Sequence, residues 1–151
     1  MKGKIILASD HAGFALKKYI KSWLEKEGYE IKDVGCFSEE SCDYPDFAEK
    51  GAKEVLTNEN SIGLFFCGTG IGMCIAANKI KGIYAAVIHN EFTGKAAKEH
   101  NNANVICIGA RVTSQKNAKS AISAFLEANF LGERHKRRTD KIKALEEKTM
   151  R

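Results

Sequence analysis

Apolar residues fall into five short runs, each followed by a stretch in which they recur every three or four positions. Lys4 to Ser9 is the first run; residues 13–27 then place Phe14, Leu16, Tyr19, Ile20, Trp23 and Leu24 at helical spacing until Gly28 stops the pattern. The alternation recurs as Tyr29 to Val34, a loop through Pro45 and a helix from Asp46 to Leu56, then as Ile62 to Phe66 and a helix carrying Ile71, Ile75 and Ile80. Ile83 to Ile88 precedes a helix near Glu91 to Glu99, and Val105 to Ile108 precedes one from about Ser114 to Ala128. Strands joined by helices over short connections predict a five-stranded parallel sheet covered on both faces, a doubly wound three-layer α/β/α sandwich. A last helix, about Arg134 to Lys148, has few large apolar residues beyond Ile142 and Leu145. It buries little surface alone and is expected to pack on a partner subunit.

Length and composition leave this pattern intact. The 151 residues suit one domain spanning 1–151, and 44% hydrophobic with 28% charged residues and a single proline fits a globular chain without linkers. The first apolar run, Ile5 to Ala8, is too short for a signal peptide or membrane span, so a cytoplasmic protein is expected. Residues 132–151 hold eight Lys/Arg and four Asp/Glu, so the net charge of +5 belongs mainly to the tail. That tail has no aromatic residue after Phe130, which ranks nucleic-acid binding last among its uses. The five cysteines are odd in number and contain no Cys-x-x-Cys, and the four histidines lie far apart. Neither a disulfide framework nor a metal is supported, and no cofactor is expected.

In open parallel sheets, ligands bind beyond the carboxyl ends of the strands. That rule selects Asp10-His11, Cys67-Gly68-Thr69, His89-Asn90 and Gly109-Ala110-Arg111. Cys67 stands where a strand becomes the turn Gly68-Thr69-Gly70-Ile71-Gly72, and free N–H groups and a helix dipole at that turn favour an anion and a thiolate. An inert buried thiol is the structural alternative. The turn lacks the third glycine of a dinucleotide fingerprint and the Lys-Ser/Thr of a P-loop. Asp10 would cap the first helix or act chemically. Arg134 and Arg138 share one helical face beside His135 and suit a phosphate, or simply solvent. His100-Asn101 ends the fourth helix, which topology places at the edge opposite Cys67 unless a second subunit supplies it.

The segments Ser9-Asp10-His11-Ala12-Gly13-Phe14, Asp43-Tyr44-Pro45, Cys67-Gly68-Thr69-Gly70-Ile71-Gly72, Ala76-Ala77-Asn78-Lys79, His100-Asn101-x-x-Asn104-Val105, Gly109-x-Arg111 and Gly132-x-Arg134-His135 together resemble type B ribose-5-phosphate isomerases, nearly end to end. The wider family includes allose-6-phosphate isomerases and galactose-6-phosphate isomerases, the latter built from two different subunits. The resemblance implies an aldose–ketose isomerase of the pentose phosphate type with a Rossmann-like sandwich, a homodimer or dimer of dimers with active sites between subunits. It implies Cys67 as the base moving a proton between C2 and C1 through a cis-enediolate, Thr69 assisting, and backbone N–H groups of Gly68, Gly70 and Gly72 stabilising the oxyanion. His100 would open the furanose ring, with Asp10 and Tyr44 positioning hydroxyls or aiding that step. Asn78 and Asn101 would support the sugar, and His11, Arg111, Arg134, His135 and Arg138 would line the phosphate end. A non-catalytic sugar-phosphate sensor is the competing reading; it predicts binding that survives loss of Cys67.

Overall fold

A computed structural model describes residues 2–150. Strands β1 (Lys4–Ser9), β2 (Glu30–Asp33), β3 (Ile62–Cys67), β4 (Ala85–Val87) and β5 (Val105–Gly109) alternate with helices α1 (Phe14–Lys26), α2 (Tyr44–Thr57), α3 (Ile71–Ala77), α4 (Glu91–Glu99) and α5 (Gln115–Glu127), and α6 (Arg134–Thr149) follows. The strands pair in parallel in the order β2-β1-β3-β5-β4.

Successive strand residues point to opposite faces, and in the central strands β1, β3 and β5 both faces are buried, which is why these read as nearly continuous apolar runs. Ile5, Leu7, Leu64, Phe66, Ile106 and Ile108 face α1, α4 and α5, meeting Leu16, Ile20, Leu24, Ala97, Ala121 and Phe125. Ile6, Ala8, Phe65, Val105 and Cys107 face α2 and α3, meeting Ala48, Ala52, Val55, Met73 and Ala77. Connections leave β1 toward one side of the sheet and β3 toward the other. The crevice between these two strands is therefore the topological switch point, where open α/β sheets bind ligands.

The elements differ from expectation mainly at their ends. The helix after the glycine turn stops at Ala77 and does not reach Ile80. Asn78 turns its amide onto β4 instead, donating to the Ala85 carbonyl (3.0 Å) and accepting the Ala85 N–H (2.8 Å). Strand β4 is trimmed to three residues because the Tyr84 N–H leaves the ladder for the Asn104 side chain at 2.8 Å. Helix α2 starts at Tyr44, two residues before the expected Asp46, since Pro45 sits in its first turn, where a missing N–H costs nothing.

Helix α6 buries only His135 and Thr139. It is tied to the body by the Leu131 N–H to the Glu99 carbonyl (3.1 Å) and by Glu146, which accepts from the Gly82 N–H (2.9 Å) and the Tyr84 hydroxyl (2.6 Å). Burial and the neighbouring Glu146 carboxylate push the Tyr84 phenol up to about 12, so it remains a donor. Ile142 and Leu145 are 46% and 59% exposed, and Ile71 and Ile75 on α3 are 55% and 59% exposed. Among the described residues no helix is long and apolar enough to cross a membrane.

Candidate active site

Three adjacent strands end side by side at the switch point. Ser9 pairs with Phe66 and Cys67 with Gly109, so Asp10, Cys67 and Ala110-Arg111 emerge at one level, with strands about 4.8 Å apart. The Ala110 N–H reaches the Cys67 carbonyl (2.8 Å) and the Arg111 N–H the Gly68 carbonyl (2.9 Å), which prolongs the ladder into the turn. Two glycines permit this closeness. A Cβ on Gly13 would lie 2.4 Å from the Phe66 carbonyl oxygen, and one on Gly109 would lie 2.4 Å from the Thr69 carbonyl carbon.

Within the turn, Cys67 is 4% exposed and its Sγ accepts the Gly70 N–H at 3.2 Å, with Gly70 left-handed at φ 80°. The thiol thus meets a backbone donor at the margin of the apolar layer that also holds Ala8, Phe65 and Met73. Thr69 is exposed and its Oγ1 accepts the Ile71 N–H at 3.2 Å. These two bonds occupy N–H groups that the anion reading counts as free. Those of Gly72 and Met73, in the first turn of α3, have no intrahelical acceptor and remain for an oxyanion.

Around the thiol, one Asp10 carboxylate oxygen accepts the N–H of Gly13, the N-cap of α1, at 3.0 Å, which braces the turn before the helix while Asp10 stays buried beside the site. His11 accepts the Cys42 N–H on Nδ1 at 3.2 Å, which leaves its proton on Nε2. The Tyr44 ring lies over Gly72, where a Cβ would come within 2.6 Å of it. The Arg111 guanidinium lies over Gly68, where a Cβ would approach Nη1 to 3.0 Å. Cys67, Thr69, Asp10, His11, Tyr44, Gly68, Gly70, Gly72 and Arg111 therefore converge at one end of the sheet.

The remaining candidates gather at the other end. Helix α4 runs back along the sheet, so His100, its C-cap, precedes β5, about 13 Å of strand away from the carboxyl ends. The His100 ring stacks on His135 with centroids 4.4 Å apart and planes 10° apart. His135 is 7% exposed; burial, His100 and the flanking Arg134 and Arg138 guanidiniums hold it below the ordinary histidine value, neutral near pH 7. Arg134 and Arg138 are exposed one turn apart, so this edge carries a cationic face beside a histidine pair. A cleft of about 860 Å³ opens next to it, between α6 and the amino ends of β3 and β4, lined among others by Asn78, Asn101, Phe130, Lys136 and Ile142.

One chain thus holds two groups of residues on opposite edges, as the topology of α4 foretold. Asn78, expected as a sugar contact, stands apart from the thiol group: its exposed amide pairs with the Ala85 backbone and lines the cleft at the other end. Two contributors were missed. The Cys42 backbone N–H that orients His11 has no side-chain signature. Lys17, a buried lysine on the core face of α1, stood in plain view as a charge at apolar spacing between Gly13 and Ile20. Among the described residues no group of three or more His, Cys, Asp or Glu is placed to hold a metal.

Known proteins share this fold and much of this sequence. The family model described as "Ribose/Galactose Isomerase" matches residues 5–142. A probable ribose-5-phosphate isomerase B of Mycoplasma genitalium is 44% identical over 152 residues, covering 99% of each chain. The structure of Clostridium thermocellum ribose-5-phosphate isomerase B superposes with a TM-score of 0.93 at 43% identity, covering 96% of this chain and 98% of that one. That of ribose-5-phosphate isomerase B from Mycoplasma genitalium with bound ribulose-5-phosphate superposes with a TM-score of 0.93 at 42% identity, covering 99% of each. With the switch-point thiol, its glycine turn and an end-to-end match in both sequence and fold, the chain belongs to the ribose/galactose isomerase family.

Proposed function

We propose that the protein interconverts ribose 5-phosphate and ribulose 5-phosphate. The observation that carries this is the Cys67 thiol at the switch point, with the Gly70 N–H on its sulfur and the α3 amides beside it. An aldose–ketose isomerisation needs one base able to return a proton to the neighbouring carbon and a fixed donor set for the oxygen that gains charge. In the open-chain sugar the Cys67 thiolate takes the proton from C2. The electron pair forms the C1–C2 double bond and the C1 carbonyl becomes the enediolate oxygen, facing the N–H groups of Gly72 and Met73. The Cys67 thiol then returns the proton to C1 while the C2 hydroxyl becomes the ketone and its proton passes to O1, with Thr69 as the adjacent hydroxyl relay.

Ring opening requires an acid at the ring oxygen, and His100 supplies it in this reading. Since His100 lies on the opposite edge of its own chain, it serves the thiol of a second copy. The active unit is then a homodimer, or a dimer of dimers, in which the exposed Ile71 and Ile75 and the thinly packed α6 find apolar partners. His11 and Arg111 from one subunit and Arg134 and Arg138 from the other hold the phosphate, while Asp10, Tyr44 and Asn101 contact hydroxyls. The segment 132–151 is part of the same single domain and supplies this inter-subunit helix. The reaction belongs to the cell interior, where sugar phosphates are kept.

The test is ketose formation from ribose 5-phosphate by the purified protein without added metal, with allose 6-phosphate as second substrate. Cys67→Ala should lower kcat on the order of 10³-fold, within the range for loss of a general base, and leave ribose 5-phosphate binding in place. A wild type that binds the sugar and turns over neither substrate refutes the isomerase reading in favour of a sensor.

A further inference from the structure

A buried ammonium is costly unless its charge is paired and its protons are used. Lys17 is 0% exposed, at the close of the first turn of α1. Its Nζ donates to Asp33 Oδ1 at 2.8 Å and to the Cys36 carbonyl at 2.5 Å. It also lies 5.3 Å from the centroid of Phe37 and 5.7 Å from that of Phe14. Asp33 Oδ1 accepts the Gly35 N–H at 2.9 Å, and its Oδ2 is 3.9 Å from Lys21 Nζ. None of these groups takes part in the proton transfers above.

What Lys17 grips is the start of the segment that leads from β2 to the site. Gly35 accepts the Ser9 N–H (2.7 Å) and Cys36 donates to the Ser9 carbonyl (2.8 Å), which lays the segment against the end of β1. Six residues on, the Cys42 N–H meets His11 Nδ1, and two further on the Tyr44 ring settles on Gly72. Between Cys36 and Cys42 the segment has few other anchors: Cys36 Sγ to the Ser38 carbonyl at 3.3 Å, and a local Ser38–Glu40 contact at 3.3 Å. We infer that Lys17 is a positioning residue for the isomerase site: through Asp33 and the Cys36 carbonyl it sets the 34–44 segment, and thereby the Nε2–H tautomer of His11 and the seat of Tyr44. This rests on the proposed function, in which His11 and Tyr44 hold the sugar phosphate. It assigns Lys17 an effect on substrate affinity rather than on the chemical step.

Lys17→Met alone strands the buried Asp33 carboxylate, so the working variant is Lys17→Met/Asp33→Asn, which removes both charges and keeps an acceptor for the Gly35 N–H. Two readouts are taken on the full chain. The ¹⁵N signals of the His11 ring, assigned with His11→Gln, report a single tautomer protonated at Nε2 in the wild type and a mixture in the double variant. Kinetics with ribose 5-phosphate show KM raised on the order of tenfold, as a displacement below 1 Å gives, with kcat within threefold. If the melting temperature is restored and both the His11 signals and KM match the wild type, Lys17 is merely structural and the inference is overturned. Should the double variant not fold, Asp33→Asn decides: a KM rise of at least threefold with a changed His11 signal supports the role, and neither change overturns it. The ring signals need no turnover. A chain that isomerises no sugar yet loses the tautomer keeps the Lys17–His11 coupling and loses the isomerase reading.

Discussion

Gly109→Ala tests the idea that a single backbone approach holds the thiol turn in place. A Cβ at this position would lie 2.4 Å from the Thr69 carbonyl carbon, 2.6 Å from its oxygen and 2.7 Å from its Cα. Ordinary carbon contacts begin near 3.5 Å, so the turn and β5 must part by roughly 1 Å. No flexible side chain stands in the gap to absorb the shift. Strand β5 is fixed by its pairing with β3, with Cys67 opposite Gly109, and by the Ala110 N–H on the Cys67 carbonyl. The turn is the softer party and moves, carrying Thr69 and the Gly70 N–H away from Cys67. Overpacking of this kind costs about 1–3 kcal/mol in stability. A displacement near 1 Å at the reacting groups costs on the order of 10²-fold in kcat, about 2.7 kcal/mol of barrier. Gly28→Ala is the matched control: its φ of 94° makes alanine strained, by about 1–2 kcal/mol, but nothing lies within 4 Å of the new methyl and the site is remote. Both variants are melted by circular dichroism and assayed for ketose formation at saturating ribose 5-phosphate. Both should melt several degrees low, while only Gly109→Ala loses kcat. If Gly109→Ala keeps kcat within threefold of the control, the turn tolerates displacement and the argument from close approach is wrong.

Two more expectations follow from the same geometry. The Cys74 thiol is pulled down to about 7, chiefly by its hydrogen bond with Cys107, and aided by Val87 and Asn78, against the opposing effect of burial. Cys74 should therefore be the first of the five free cysteines to take up iodoacetamide, with a rate that climbs through pH 7 as its thiolate forms. Its folded value lies below the ordinary 9.0, so the stability it contributes is fully present above pH 9 and is lost as pH falls through about 7; peptide mapping that shows a pH-independent rate at Cys74 refutes this. Secondly, Cys67→Ala and His100→Ala chains, each inactive alone, should regain up to about one quarter of wild-type activity when unfolded and refolded together, because half the random dimers then contain one intact site. No recovery above either variant alone means that thiol and imidazole do not meet between subunits.

The sheet and its helices were readable because both faces of the central strands β1, β3 and β5 are buried, which turns these strands into nearly unbroken apolar runs. The placement of His100 was readable too, since a helix that returns to the start of β5 can only end at the amino edge. Helix ends were less visible: Ile80 keeps helical spacing with Ile71 and Ile75, but the Asn78 amide prefers the Ala85 backbone, and spacing does not register that competition. At the site, side chains with chemical character announced themselves, whereas the Cys42 N–H on His11 is a property of the path of the backbone, and any residue but proline would supply it. Lys17 was overlooked for the opposite reason. Its partner Asp33 is sixteen residues away on another element, and a charge among Leu16, Ile20 and Leu24 reads as an interruption until the fold brings the pair together.

The separation of Cys67 from His100 within one chain has a consequence for how such proteins diversify. A gene encoding both halves can be copied, and each copy can then lose a different half without loss to the organism, provided the two products still assemble. One chain would keep the thiol edge and the other the imidazole and arginine edge, and neither loss could be reversed afterwards by a single copy acting alone. Obligate pairs of unlike subunits, the form taken by galactose-6-phosphate isomerases in the wider family, are thus a natural end point of this architecture. The present chain carries both groups of residues, Cys67 at one end of the sheet and His100 with Arg134 and Arg138 at the other.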